Sequence, residues 1–487
     1  MESRDWKYSI TGDSDEKRPL VVDLDGTLIR TDLLVESIFA LLKRNILFIF
    51  LLPVWLLKSK AHLKHEIAAR VDIDARLLPY HDEFLGYLRA EHASGRRLVL
   101  ATASNEKYGE AIALHLGVFQ EVLASNATVN LSGGRKLEQL RALFGNHGFD
   151  YAANAMVDLP LWEAAHSALL VNPEHKVKKV AERKSHISHV FDDRAGSPVR
   201  RYLKALRLHQ WLKNLLIFVP LVMAHRFDEP LLIAQALIAF FAFGLCASSV
   251  YLLNDLLDLP DDRQHPTKRN RPFASGSISI FTGALLIPGL LLLAFALALF
   301  LPIEFIGALA LYYAVTLAYS FKLKRAALLD VLTLAGLYTM RIIAGAAAVS
   351  VIPSFWLLAF SMFLFLSLAL VKRFTELLTM QQQEKTTSSG RGYTTTDLET
   401  LSQFGSTSAY MAVLVLALYI NSEAVRDLYT HPEVIWLLCP LLLYLVTRIW
   451  LLARRDELHE DPVVFVIQDR RSQWLAGIGA TLLWLAA

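Results

Sequence analysis

The pattern of apolar and polar positions changes near residue 200. Upstream, short apolar runs alternate with amphipathic stretches. Downstream, runs long enough to cross a bilayer follow one another, each near the roughly 20 residues that a helical span requires. Nine runs stand out: Leu206–Met223, Pro230–Leu253, Ile280–Leu301, Ile303–Phe321, Ala326–Val351, Phe355–Leu378, Gly405–Ile420, Val434–Leu452 and Trp474–Ala487. The first and last are marginal, so eight or nine spans are expected. In the upstream part Pro19–Leu24, Arg97–Ala101, Val122–Ala124 and Ala152–Met156 read as strands separated by helices. That alternation predicts an α/β, doubly wound parallel sheet. The organisation expected is a polar tail (1–18), an α/β domain (19–191) with a cap insertion at about 32–90, a linker (192–204), and an all-α membrane domain of about nine helices (205–487). One apolar stretch is out of place. Ile46–Leu57 has only 12 residues, follows Lys43 and Arg44, and contains Pro53. It suits either a buried cap helix or a hairpin on the membrane surface.

Composition sharpens this picture. With 54% hydrophobic and 20% charged residues and a mean hydropathy of +0.37, the chain reads as a membrane protein carrying a soluble domain. A net charge of +3 gives no polyanion bias, so no nucleic-acid partner is expected. Cys246 and Cys439 both lie in apolar runs and build no disulfide framework. Met1–Arg18 lacks the apolar core of a secretory signal. Basic residues crowd the loops after the second, fourth, sixth and eighth runs, Lys385 and Arg391 among them, while the opposite loops hold only Arg226 and Arg426. The positive-inside rule then places those loops and the N-terminal domain in the cytoplasm, beneath the cell membrane.

Candidate chemistry falls in two places. Asp23 and Asp25 sit at the C-terminal edge of the first apolar strand, followed by Gly26-Thr27. Ligands gather at that edge of a parallel sheet. Two carboxylates one residue apart can divide labour, one attacking phosphorus or holding Mg²⁺ and the other moving the leaving-group proton. In the membrane part, the second run ends in Asn254-Asp255, with Asp258 and Asp262 spaced to share a helical face. Carboxylates at a membrane edge are costly unless they act. Three together suit Mg²⁺ on a diphosphate. Lys268, Arg269 and Arg271 follow at once and can meet further phosphate oxygens.

The first set resembles the haloacid dehalogenase superfamily of phosphohydrolases over Arg18–Pro173. Its motifs are Val22-Asp23-Leu24-Asp25-Gly26-Thr27-Leu28, then Thr102 in Leu100–Ser104 as the phosphate-binding hydroxyl, and Lys136 as the charge-stabilising lysine. Asp23, Asp25, Asn154 and Asp158 would then hold Mg²⁺. Asn154 stands where the family has an aspartate, which leaves either an active phosphatase or a docking domain. The second set is similar to the UbiA-type prenyltransferases, across Leu206–Asp469. Within that superfamily, Asn-Asp-x-x-Asp-x-x-x-Asp running into His265-Pro266-Thr267-Lys268-Arg269-Asn270-Arg271-Pro272 points to the decaprenyl-phosphate phosphoribosyltransferase branch.

The resemblance implies Mg²⁺ on Asp255, Asp258 and Asp262, with Asn254 beside them. It also implies transfer of 5-phosphoribosyl from phosphoribosyl pyrophosphate to a polyprenyl phosphate in the membrane. Lys213, Lys322, Lys324, Arg341, Lys372 and Arg373 are candidate phosphate partners. Arg341, in mid-span, is the strongest of these on cost. Aromatic prenyltransferases carry a second aspartate pair after the fourth span, whereas here Asp330 is followed four residues later by Leu334. Two alternatives stay open: prenyl transfer from a prenyl diphosphate to an aromatic acceptor, and a non-catalytic transporter or scaffold.

Overall fold

The computed structural model describes residues 18–193, 197–226, 228–382, 392–422, 425, 429–458 and 461–486. Most of the expected polar tail, part of the linker, and the topogenic Lys385, Arg391 and Arg426 lie outside them. The chain forms two compact units, one of Met1–Ala205 with Asp255–Leu285, the other of Leu206–Asn254 with Leu286–Ala487.

The first unit holds a six-stranded parallel sheet in the order β3-β2-β1-β4-β5-β6. The strands are β1 (Leu20–Val22), β2 (Leu98–Asn105), β3 (Glu121–Ser125), β4 (Asp150–Ala153), β5 (Ala168–Val171) and β6 (Ile187–Phe191). In-register pairing sets Leu20 against both Leu98 and Asp150. Both faces of the central strands are buried, one under Leu24, Phe84, Leu88 and Ile112, the other under Leu140, Phe149, Leu161 and Trp162. Doubly covered parallel strands read as continuous apolar runs, as β1 and β5 do. The fourth strand lies two residues earlier than expected, at Asp150–Ala153, because the chain leaves the sheet at Asn154 to reach Asp158. Strands β5 and β6 were not expected.

Between β1 and β2 the chain builds α1 (Leu33–Arg44), a 3₁₀ turn (Ile46–Phe50), α2 (Leu51–Lys58), α3 (Lys60–Ala68) and α4 (Asp82–Ala93). Asp32 starts α1 by accepting from the Val35 N–H, and Ser59 caps α3 through the His62 N–H. Only Trp55 is buried within Ile46–Lys58. The remaining helices of the α/β part are α5 (Glu106–Leu116), α6 (Gly134–Phe144), α7 (Leu159–Ala164), α8 (His175–Lys184) and α9 (Pro198–Ala205). Residues 198–204 of the expected linker are thus helical.

Downstream, the described residues contain seven helical segments long and apolar enough to cross a membrane. They are α11 (Pro230–Leu257, after the short α10, Val219–Met223), α13 (Ile280–Ala298), α14 (Ile303–Phe321), α15 (Leu329–Ala348), α16 (Phe355–Gln382), α17 (Leu398–Ile420, extended by a 3₁₀ turn from Thr395) and a segment Pro432–Arg454 whose main helix is α18 (Leu438–Arg454). The short α12 (Leu259–Gln264) follows α11, while α19 (Pro462–Gln468) and α20 (Arg470–Ala486) close the chain. The two marginal runs account for the difference from nine. Leu208–Phe218 is a 3₁₀ helix continued by α10, and α20 has 17 residues. In the second unit Gly405 lets α17 meet α18, since a Cβ there would lie 1.9 Å from the Trp450 ring.

Two candidate active sites

The first site forms where β1 ends. Asp23 follows the strand directly, and its Oδ1 accepts from Lys136 Nζ at 2.7 Å. Lys136 comes from the first turn of α6, is buried, and lies 3.2 Å from the Tyr151 hydroxyl, which in turn donates to Asp158 at 3.3 Å. Burial opposes the Lys136 charge, but Asp23 and Asp158 outweigh it and hold its pKa above the ordinary value. The Thr27 hydroxyl lies between Asn154 Oδ1 (3.3 Å) and Asp23 Oδ2 (3.4 Å), so the amide reaches the neighbourhood of Asp23. Gly26, at φ +78°, makes this possible: a Cβ there would stand 2.4 Å from Asn154 Nδ2.

Asp25 is held from three sides, by the Leu33 N–H at 2.8 Å, the Ser104 hydroxyl at 2.7 Å and the Thr102 hydroxyl at 3.4 Å. Burial, then Asp32 and Asp23, push its pKa up to about 7; burial and Asp23 do the same to Asp158. Carboxylates crowded in this way, with an amide oxygen beside them, are a hard-oxygen donor set suited to Mg²⁺. All six sequence candidates, Asp23, Asp25, Thr102, Lys136, Asn154 and Asp158, therefore meet at one sheet edge. Two more residues belong with them. Ser104 binds Asp25 directly. Lys64 of α3 reaches Ala103 O and Asn130 Oδ1, and its pKa is lowered by burial despite the nearby charges of Asp25 and Asp32. Ser104 sat inside a motif, but Lys64 carried no sequence signal.

The second acidic cluster, also in the first unit, is not one helical face. Pro260 and the backbone of Asp258 break the helix, so Asp258 caps α12 instead of continuing α11. Arg271 Nη1 bridges Asp255 (3.2 Å) and Asp262 (2.7 Å), whereas Asp258 faces Lys43 Nζ of α1 at 3.1 Å. Lys43 also meets Asp261 at 2.7 Å. Asp262 has its pKa raised by burial, against the pull of Arg271. Among the described residues no three His, Cys or acidic groups are gathered as a metal cluster. Cations of the chain itself occupy these carboxylates. Asn254 keeps its buried Oδ1 without a hydrogen-bond partner, an acceptor available to a ligand. Lys268 and Arg269 are exposed. Arg263 forms a two-pronged pair with Glu36 of α1, Nη1 to Oε1 at 2.6 Å and Nη2 to Oε2 at 3.0 Å.

In the second unit, Asp461 at the start of α19 gathers Lys213 (2.7 Å) and Lys372 (3.1 Å) on one carboxylate oxygen. Tyr338 donates to its other oxygen at 3.4 Å. Asp461 is the residue that organises these two candidates. Arg341 is buried, and three of the five N–H donors of its guanidinium go to Asn214 Oδ1 (3.1 Å), Leu337 O (2.6 Å) and the Tyr312 hydroxyl (3.1 Å), among the rings of Phe243, Tyr312 and Tyr338. Arg373 pairs with the fully buried Asp330 and with Glu376, and Tyr393 donates to Asp330 as well. Lys322 is exposed and Lys324 half-buried at the end of α14.

A sheet edge built for phosphate chemistry, joined to membrane-spanning helices that bury paired acids and cations, defines a membrane transferase carrying a phosphohydrolase-type domain. The chain belongs to the UbiA prenyltransferase family, which it matches over residues 215–468, and its residues 20–163 match the haloacid dehalogenase-like hydrolases. It is 37% identical over 476 residues to protein y4nM of Sinorhizobium fredii, covering 97% of this chain and 92% of that protein. Nodulation protein NoeC of Azorhizobium caulinodans is 34% identical over 278 residues, 57% of this chain and 90% of NoeC. Decaprenyl-phosphate phosphoribosyltransferase of Mycolicibacterium smegmatis is 36% identical over 200 residues, 40% of this chain and 63% of that enzyme.

Proposed function

We propose that the UbiA-type part transfers 5-phosphoribosyl from phosphoribosyl pyrophosphate to a polyprenyl phosphate, at the cytoplasmic face of the cell membrane. The observation that carries the choice of donor is the state of Asp330. It stands alone, fully buried between Arg373 and Tyr393, with Leu334 four residues on where a paired-aspartate prenyl diphosphate site has its second carboxylate. Cations supply the alternative: Lys213 and Lys372 on Asp461, with Lys268, Arg269, Arg271, Lys322 and Lys324 on cytoplasmic loops. A donor with both a diphosphate and a 5-phosphate needs more such partners than a prenyl diphosphate. The phosphoribosyltransferase similarity supports the same reading.

An oxygen of the lipid phosphate forms the new bond to ribose C1 as the C1–O bond to pyrophosphate breaks. The lipid phosphate is already anionic at neutral pH, so the residues act by positioning and charge neutralisation. Asp255, Asp258 and Asp262 would hold Mg²⁺, which neutralises the pyrophosphate leaving group. Arg271 and Lys43 must then let go of these carboxylates. In the N-terminal domain an Asp23 oxygen bonds to the phosphorus of the lipid product's 5-phosphate as the P–O bond to ribose breaks, and Asp25 gives the leaving oxygen its proton. Water then attacks that phosphorus, loses its proton to Asp25 and frees Asp23 and inorganic phosphate, with Thr102 and Lys136 on the phosphate throughout.

The test is to supply purified protein, Mg²⁺ and polyprenyl phosphate with ribose-labelled phosphoribosyl pyrophosphate and to count label in the organic phase. Label entering the lipid with wild type but not with Asp255→Asn supports transfer. Loss of the 5-phosphate with wild type but not with Asp23→Asn supports the hydrolase role. Labelling only from a prenyl diphosphate and an aromatic acceptor would reverse the choice of donor.

A further inference from the structure

The cap segment Ile46–Lys58 is built unlike the rest of the α/β unit. Leu47 is 62% exposed, Phe50 73% and Leu57 86%, and Ile46, Ile49, Leu51, Val54 and Leu56 are exposed as well. Trp55 alone is buried, under Phe48 and the Arg70 guanidinium, and it ties the segment to α3. Scattered exposed apolar side chains are ordinary, but a contiguous patch of this size marks a contact surface. At 13 residues the 3₁₀ turn and α2 are too short to span a bilayer.

Charge identifies the occupant. Between Glu36 and Glu66 the sequence has no acidic residue, while Arg44, Lys58 and Lys60 bracket the apolar core of the segment; Lys43 and Lys64 are engaged elsewhere, on Asp258 with Asp261 and on Ala103 with Asn130. Lys58 and Lys60 are exposed. Apolar residues flanked by cations are the signature of a segment lying in the interface of an anionic bilayer. The same chain also carries seven helical segments able to cross that bilayer.

We infer that residues 46–58 are a monotopic helical segment lying in the cytoplasmic leaflet, with anionic phospholipid as its partner. The insertion does more than tether. Ser59 alone separates α2 from α3, and α3 carries Lys64 to the edge where Asp25 lies. Seating this segment in lipid therefore fixes one wall of the phosphohydrolase centre at the membrane surface and selects phosphate esters borne on lipid. This last step rests on the hydrolase role proposed above; the insertion does not.

The experiment uses full-length protein with Cys246→Ala and Cys439→Ala, one molecule per lipid nanodisc containing phosphatidylglycerol. An environment-sensitive fluorophore is attached at Leu57→Cys or Phe50→Cys, with Leu114→Cys on α5, 87% exposed, as the reference. Insertion predicts blue-shifted emission and quenching by doxyl-labelled acyl chains at positions 50 and 57, and neither at 114. Solvent-like emission at all three overturns the inference. Protection from iodide without doxyl quenching overturns it in favour of a protein partner. A second arm takes Phe50→Glu/Leu57→Glu. Release of phosphate from the phosphoribosyl lipid should fall about tenfold or more while p-nitrophenyl phosphate hydrolysis is unchanged. Equal loss on both esters overturns the selection of lipid-borne substrate. Hydrolysis of neither ester by wild type defeats only the hydrolase role, and the quenching result still decides the insertion.

Discussion

Glu36 and Arg263 offer the sharpest quantitative test of the first unit. Both side chains are 6% exposed and meet through two parallel N–H···O bonds. Arg263 Nε is taken by Ala274 O at 3.1 Å, and Glu36 Oε2 also accepts from the Thr31 hydroxyl at 2.9 Å. Each guanidinium nitrogen and each carboxylate oxygen thus has a partner inside the protein. Glu36→Gln keeps the shape but removes the charge, leaving a buried guanidinium uncompensated at a cost of about 3–5 kcal/mol. Replacing both partners, Glu36→Leu with Arg263→Met, removes the problem, and the loss should shrink to about 1 kcal/mol or less. The assay is pulse proteolysis of the N-terminal unit in detergent across a urea series, run as a double-mutant cycle. A Glu36→Gln variant within about 1 kcal/mol of wild type would show that water reaches the pair, and a double variant as unstable as the single one would show that shape, not charge, is what α1 supplies.

Other consequences can be checked separately. Asn154→Asp adds a charge to the donor set beside Asp23, so half-saturation of phosphatase activity should occur at a lower Mg²⁺ concentration; an unchanged Mg²⁺ titration would place Asn154 outside the metal's reach. Gly26→Ala must adopt a left-handed φ and drive its methyl into Asn154, so phosphatase activity should fall by about a hundredfold while lipid labelling persists, and full phosphatase activity would refute the close approach. Burial lowers the pKa of His81, which accepts from Arg30, below the value of about 6.5 that it takes when unfolded. The unfolded chain therefore binds the proton first, and stability of the N-terminal unit should decline as pH falls below about 6.5. In His81→Gln the pH slope of pulse proteolysis between pH 6.5 and 5 should flatten; an unchanged slope would assign it to other groups.

What could be seen in the sequence follows from what is local. The sheet edge was legible because Asp23, Asp25, Gly26 and Thr27 are neighbours in the chain, and because a parallel sheet brings the ends of β2 and β4 to the same edge. The spans were legible wherever a single continuous run of α-helix supplied the length. Periodicity overstated them at Leu206–Met223, where apolar content is indifferent to whether the backbone winds as 3₁₀ or α, and hence to the distance covered. Spacing also misplaced the triad. Three-and-four spacing implies one face only while the helix continues, and a proline two residues after Asp258 ends that condition.

Charge partners over long separations were the least visible. Arg341 stood out in the sequence as a costly residue and Arg373 as a candidate phosphate partner, but neither reading reveals which groups they meet. Arg341 spends its donors on Asn214, Leu337 and Tyr312, and Arg373 on Asp330 and Glu376. A buried cation paired in this way holds neighbouring helices together through each of its three nitrogens. Lys213 and Lys372 differ, since two ammonium groups share a single oxygen of Asp461 and keep N–H donors in excess of the carboxylate. That surplus is what an incoming phosphate would use. Asp461→Asn should accordingly leave two lysines in mutual repulsion, raise the KM for the phosphorylated substrates and spare insertion into the membrane. Lys372→Met should lower kcat/KM by about tenfold or more, whereas Arg373→Met should fail by misfolding, its partner Asp330 being left charged and buried. A folded Arg373→Met with impaired transfer would restore that arginine to the substrate.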